Sequence, residues 1–256
     1  MKEGTIADVL AGRARWAFEC RDGFALAHSL PDREVDHTIA DPPYDERTHR
    51  GISGSAAHRG RAEPHRKVKE IAVNFDVMAD WSIVPELVRI TDRWVVCFCT
   101  MLMLHKYEQA SGEAWIRDGI WHRTNSAPQL TGDRPAQGCE GLAIMHRPGR
   151  KRWNRGGHQA FWDGPIEEPA RRIHETQKPE WLMVDLVEAF TDPDDLVFDP
   201  TAGGATTGIA CMRTGRRFVG CEIRPDAHAL GLARLRAEER GLAFGKAERK
   251  GQATLW

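Results

Sequence analysis

The chain has 256 residues, 41% of them hydrophobic, with 36 Lys and Arg against 37 Asp and Glu and a formal net charge of −1. This length suits one large α/β domain with an ordinary core over 1–256, and no apolar run of about 18 residues is present to span a membrane. The N-terminal stretch mixes acidic and basic residues, so no secretory signal is expected; Cys20, Cys97, Cys99, Cys139, Cys211 and Cys221 form no CxxC pair and no metal-ligand spacing with histidine, so a cytoplasmic protein with reduced thiols and no metal is expected.

In chain order, short β-rich runs alternate with helical stretches. Strands are expected over 16–20, 35–40, 94–99, 120–123, 142–146, 196–198 and 218–223. Helices are expected over 23–29, 83–91, 101–110, 179–190, 206–214 and 225–240. Apolar strands alternating with helices imply a mostly parallel, seven-stranded sheet with helices on both faces. Two stretches break the rhythm. Residues 45–70 are rich in Gly, Ser, Arg and His and carry Arg47, Arg50, Arg59, Arg61, Arg66 and Lys67. Residues 147–173 carry Arg150, Lys151, Arg152 and Arg155 beside Trp153, Phe161 and Trp162. Loops of this length are usually functional or disordered. A solvated loop accounts for either run alone, whereas two basic segments flanking the motifs below suit phosphate contact.

The first motif is Asp41-Pro42-Pro43-Tyr44, directly after the strand expected at 35–40. Ligands of parallel sheets bind at the carboxyl ends of strands. Two prolines fix the backbone and remove two N–H donors, leaving carbonyls of fixed direction. An Asp41 oxygen and the Pro42 carbonyl can each accept one hydrogen of a planar amino group while Tyr44 stacks on its ring. A plain Pro-Pro turn is the alternative.

The second motif runs from Asp199 to Gly208, between a strand and a helix. Its glycines let the backbone approach a ligand closely, and with no Lys after them it is not a phosphate-binding P-loop. Glu222 ends the next strand, at about the ~20-residue spacing of an acid that binds ribose hydroxyls. The pair fits nucleosides in general. The third motif, Thr176-Gln177-Lys178-Pro179, precedes a helix and says nothing by itself.

Taken in this order, the motifs resemble the β-class amino-methyltransferases of DNA, the adenine-N6 and cytosine-N4 enzymes with circularly permuted motifs. Asp41 to Tyr44 matches that family's catalytic tetrapeptide in full. Cys20-Arg21-Asp22 resembles its lead-in, and the segment from Trp121 through Asp133 to Glu140 resembles the part after its sixth strand. Thr176 to Pro179, Asp199 to Gly208 and Glu222 match the remaining motifs. The family loop usually reads Asp-Pro-Phe-x-Gly-x-Gly-Thr-Thr; here Thr201 replaces the aromatic residue and Ala205 the last glycine. Ala205 is therefore expected at negative φ, where an L-residue is unstrained.

The resemblance implies a Rossmann-like fold with S-adenosyl-L-methionine as cofactor and double-stranded DNA as partner; members are often homodimers. It implies catalysis by Asp41, Pro42, Pro43 and Tyr44 on a flipped-out base. Asp22, Thr176, Lys178, Asp199, Pro200, Thr201, Gly203, Thr206 and Thr207 would line the cofactor's methionine end and amino group, Glu222 its ribose, and Ile223 its adenine. An Asp at the first tetrapeptide position favours adenine N6 over cytosine N4. The alternatives are cytosine-N4 methylation, methylation of RNA, and a relative that binds nucleic acid without turnover. The target-recognition segment expected at 147–173 is short.

Overall fold

The computed structural model describes residues 2–44, 80–126, 128–129, 132–168, 172, 177–242 and 244. In chain order the elements are α1 (Ile6–Leu10), β1 (Trp16–Cys20), α2 (Gly23–Ser29), β2 (His37–Ala40), α3 (Ile83–Ile90), β3 (Trp94–Cys99), α4 (Leu104–Ser111), β4 (Trp115–Arg123), β5 (Cys139–His146), β6 (Phe161–Gly164), α5 (Glu180–Phe190), β7 (Leu196–Asp199), α6 (Thr206–Thr214), β8 (Arg217–Glu222) and α7 (Pro225–Glu239). Local chemistry sets several boundaries. Thr5 and Asp8 form a reciprocal capping box that starts α1. Asp22 caps α2 by accepting from the Phe24 and Ala25 amides at 2.8 and 3.1 Å. Pro225 opens α7, where its missing N–H is harmless.

The strands form one sheet in the order β1-β8-β7-β2-β3-β5-β4-β6. Only β5 pairs antiparallel, against β3 and β4; the other pairings are parallel. Among the described residues the sheet has eight strands, one more than expected. The extra strand, β6, lies inside the stretch expected as a loop, and its residues alternate exposed and buried from Phe161 to Gly164.

Side chains of the central strands alternate between two apolar layers. Ala40, Val95, Cys97 and Phe198 face a layer closed by α1 to α4, with Ile6, Leu26, Leu87 and Met103. Ile39, Val96, Phe98 and Val197 face a layer closed by α5 to α7, with Leu182, Leu186, Ile209 and Leu235. β2, β3 and β7 are buried on both faces, as central parallel strands require. Of the six cysteines, all unpaired, four are buried. Among the described residues, no helix is long and apolar enough to cross a membrane. Because only β5 runs backwards, the carboxyl ends of seven strands and the start of β5 share one edge. That edge carries the motifs.

Candidate active site

Asp41 is the first residue past β2. Lys178, just before α5, reaches it across the edge of the sheet: its Nζ lies 2.9 Å from Asp41 Oδ2 and 3.1 Å from Glu140 Oε2 at the start of β5. The same ammonium donates to the Tyr44 hydroxyl at 3.1 Å. That hydroxyl donates to Asp41 Oδ1 at 3.0 Å, with Glu140 Oε2 3.2 Å away. Arg123, ending β4, sits 3.2 Å from Glu140 Oε1. Lys178 Nζ also lies over the rings of Phe98 and Tyr44.

The four polar groups titrate away from their ordinary values. Burial pushes the Asp41 carboxyl up, against the pull of Lys178. Burial acts the same way on Glu140, but Lys178 and Arg123 together outweigh it and hold that carboxyl low. Burial works against the charge on Lys178, but Asp41 and Glu140 outweigh it and raise its pKa, so it stays an ammonium. Burial, with Asp41 beside it, keeps Tyr44 a neutral phenol at any physiological pH. The outcome is a neutral donor and a cation gathered around a carboxylate that takes a proton more readily than a free one.

β7 lies beside β2 and β8 beside β7, and together they bring a second acidic cluster to the same edge. Asp199, the last residue of β7, accepts from the Thr201 amide at 3.0 Å and the Thr207 hydroxyl at 2.5 Å. Burial raises its carboxyl to about 7, with Asp41 and Glu222 adding to the rise against those two hydrogen bonds. Glu222, ending β8, accepts from the Gly203 amide at 3.0 Å and the Arg224 amide at 2.8 Å. The loop between is pressed against α2: a Cβ on Gly23 would stand 2.1 Å from the Pro200 carbonyl oxygen. From behind, the buried Arg234 of α7 donates to the Gly204 carbonyl at 2.8 Å and lies 3.0 Å from the Thr206 hydroxyl.

Ala205 adopts φ 58°, ψ 35°, so the expectation of negative φ is overturned. Its amide bonds the Ala202 carbonyl at 2.7 Å, and its own carbonyl accepts from Ile209 to start α6. Tertiary packing thus imposes a glycine-like backbone on an alanine. The strain is about 1–2 kcal/mol. Ala205→Gly relieves it but gives up a buried methyl worth about 0.8 kcal/mol and adds chain entropy. The midpoint of urea unfolding should therefore move by less than about 1 kcal/mol in stability.

The structure gathers Asp41, Tyr44, Lys178, Asp199, Glu222 and the glycine loop at one edge, and separates others from it. Lys178 belongs to the cluster around Asp41 rather than to the glycine loop. The Asp22 oxygen Oδ1 caps α2, and the hydroxyls of Thr206 and Thr207 are engaged by Arg234 and Asp199, so the two threonines hold the loop's shape. Arg150, Lys151, Arg152 and Arg155 do not border this edge. They follow the last residue of β5, His146, which pairs with the first residue of β3 at the opposite end of the sheet. There Arg152 pairs with Asp192 and Arg155 with Asp185. Arg47, Arg50, Arg59, Arg61, Arg66, Lys67 and Thr176 lie outside the described residues. Gly23 and Arg234 escaped the sequence reading, since only a long-range approach gives either a role.

The edge suits a nucleoside that carries positive charge. Burial raises the Asp199 pKa, and Asp41 and Glu222 stand close enough to add to the rise. Ile223, directly after Glu222, is 57% exposed, an apolar surface beside an acid. The Thr201 hydroxyl is buried without a hydrogen-bond partner among the described residues. An unsatisfied donor, an apolar platform and carboxylates form a set of the kind that holds a cationic nucleoside.

Residues 146–232 match the family model for DNA methylases of the N6/N4 type. A type II methyltransferase of Lactococcus lactis subsp. cremoris, M2.LlaDCHI, is 22% identical over 244 residues, covering 88% of this chain and 89% of that protein. Over these stretches the chain is similar to N6/N4 DNA methylases. The DNA adenine methyltransferase YhdJ of Escherichia coli K12 is 45% identical over 62 residues, a match spanning only 24% of this chain and 21% of YhdJ. The fold is also that of two solved structures. The M1.HpyAVI–SAM complex superposes with a TM-score of 0.63 at 20% identity, covering 86% of this chain and 100% of that one. The cytosine-N4-specific PvuII DNA methyltransferase gives 0.63 at 13%, covering 93% and 91%.

Proposed function

We propose that this protein transfers a methyl group from S-adenosyl-L-methionine to an exocyclic amino nitrogen of a DNA base, adenine N6 first. The observation that carries the reading is the junction of Asp41-Pro42-Pro43-Tyr44, at the end of β2, with the Asp199 loop and Glu222 on the next two strands. When bound, the cofactor supplies an electrophilic methyl on a sulfonium.

The chain's residues supply the rest. Glu222 would accept from the ribose hydroxyls, Ile223 would pack on the cofactor's adenine, and the Asp199 carboxylate would attract the positive methionine end. The target amine is a poor nucleophile, because its lone pair is delocalised into the ring. Asp41 and the Pro42 carbonyl accept its two hydrogens, which localises the lone pair on nitrogen. Its raised pKa makes Asp41 a suitable acceptor for the proton that nitrogen sheds. Tyr44 stacks on the base, which leaves the duplex to reach this edge. Positioning and fixed electrostatics provide most of the acceleration. Support for adenine is the Asp at position 41 and the similarity to YhdJ; the PvuII neighbour favours cytosine N4 as the second reading.

The test is transfer of labelled methyl to unmethylated duplex DNA, with RNA in competition and the nucleosides separated by mass. N6-methyladenine is expected. N4-methylcytosine overturns the choice of base, and label in RNA alone overturns DNA as substrate.

Cofactor affinity should also depend on pH through Asp199, which titrates at about 7. Below that value the carboxyl is protonated and offers no charge to a cation. Calorimetric affinity should therefore rise with pH up to about 7 and level off above it, and Asp199→Asn should flatten the rise. An equal slope in that variant counts against the assignment.

A further inference from the structure

We propose that Glu140 is a positioning residue that receives Lys178 and the Tyr44 hydroxyl when the target amino group docks, so that Asp41 is released to accept from it. The inference rests on the function proposed above. Both oxygens of Asp41 are already engaged, Oδ2 by the Lys178 ammonium at 2.9 Å and Oδ1 by the Tyr44 hydroxyl at 3.0 Å. Each oxygen keeps a lone pair for an incoming N–H, but an oxygen already paired with an ammonium or a phenol is the weaker acceptor, and Asp41 gains basicity as these donors move away. A buried ammonium that lost every anion would be strongly unfavourable. Each donor, however, has the same second partner within reach: Glu140 Oε2 lies 3.1 Å from Lys178 Nζ and 3.2 Å from the Tyr44 hydroxyl.

Glu140 is built for this exchange. Arg123 holds its other oxygen at 3.2 Å, which fixes the carboxylate while leaving Oε2 to the two donors. The Asp41 side chain is 29% exposed and that of Glu140 16%, so the carboxylate that must meet substrate is the more open one. Arg123 and Lys178 keep Glu140 ionised, whereas Asp41 takes protons more readily. Moving Lys178 toward Glu140 therefore keeps one ion pair intact and leaves Asp41 a stronger acceptor for the one amine hydrogen it takes, the other going to the Pro42 carbonyl.

The test compares the wild-type chain with Glu140→Gln, Glu140→Asp and the double variant Glu140→Gln/Lys178→Met, using cofactor and unmethylated duplex DNA. In Glu140→Gln, Lys178 keeps Asp41 as its only anion among the described residues. We expect kcat to fall roughly tenfold or more, with calorimetric cofactor affinity unchanged. Glu140→Asp keeps the charge and should retain most of the rate. Removing the locking cation as well should raise kcat above that of Glu140→Gln at alkaline pH. There Asp41, facing Tyr44 and Asp199 without Lys178, is ionised. A wild-type rate in Glu140→Gln, an equally deep loss in Glu140→Asp, or a double variant slower than Glu140→Gln at every pH would each overturn the inference. A Glu140→Gln chain that does not fold leaves the Asp variant to decide it. No product from the wild type is a separate result: it overturns the functional reading, and this inference with it.

Discussion

Asp41→Ala should lower kcat for methyl transfer by about 10²–10³-fold while leaving cofactor binding intact. The expected size follows from the role. Asp41 is one of two acceptors that localise the amine lone pair, and neither Pro42 nor Tyr44 can replace a carboxylate. Folding should survive, because the Lys178 ammonium left behind still has Glu140 Oε2 at 3.1 Å and Tyr44 beside it. Burial also raises the Asp41 pKa, so part of its native charge is already held at a cost, and losing it relieves that cost. Single-turnover rates at saturating cofactor, beside calorimetric titration of the cofactor, separate chemistry from binding. A variant with unaltered rate removes Asp41 from the reaction. Parallel loss of rate and cofactor affinity would make it a structural residue of the loop.

The second large effect belongs to a glycine with an ordinary φ. Gly23 opens α2, and a Cβ there would meet Pro200 at 2.1 Å from its carbonyl oxygen and 2.6 Å from its Cα. Both obstacles are backbone, so no side-chain rotation absorbs them. Gly23→Ala must therefore push α2 and the glycine loop apart. We expect a loss of about 1–3 kcal/mol in stability. We also expect cofactor affinity to fall at least tenfold, about 1.4 kcal/mol, because Pro200 lies between Asp199 and the Gly203 amide that orients Glu222. Urea unfolding and calorimetry read the two effects separately. If both parameters keep their wild-type values, the contact does not shape the cofactor site.

The sequence made parts of this account readable for physical reasons. Strands buried on both faces, such as Trp94–Cys99, are continuous apolar runs, and those runs place the tetrapeptide and the glycine loop at strand ends without any structure. The Pro-Pro pair after β2 and the spacing to Glu222 are equally local. What could not be read depends on strand direction or distant approach. Periodicity does not say that β5 runs backwards, and that reversal takes Arg150 to Arg155 to the opposite end of the sheet from Asp41. Lys178 stands next to the helix that follows it in sequence, yet its ammonium pairs with Asp41, 137 positions earlier, and with Glu140. β6 has a period-two pattern, Phe161 out and Trp162 in, but four residues among other aromatics resemble a local cluster. The capping box of α1 was legible in Thr5 and Asp8, and the helix escaped notice because only five residues follow. At Ala205 the local rule for L-residues lost to packing, since the loop needs that turn to start α6.

The central claim is that one cleft joins a cofactor site to an amino-group acceptor, and a crystal structure of the full chain with bound S-adenosyl-L-methionine tests it most directly. The account predicts Glu222 within hydrogen-bonding distance of the ribose hydroxyls, Ile223 against the adenine, and the sulfonium methyl directed at the space in front of Asp41 and Tyr44. A cofactor bound elsewhere, or one whose methyl faces away from Asp41, would contradict it.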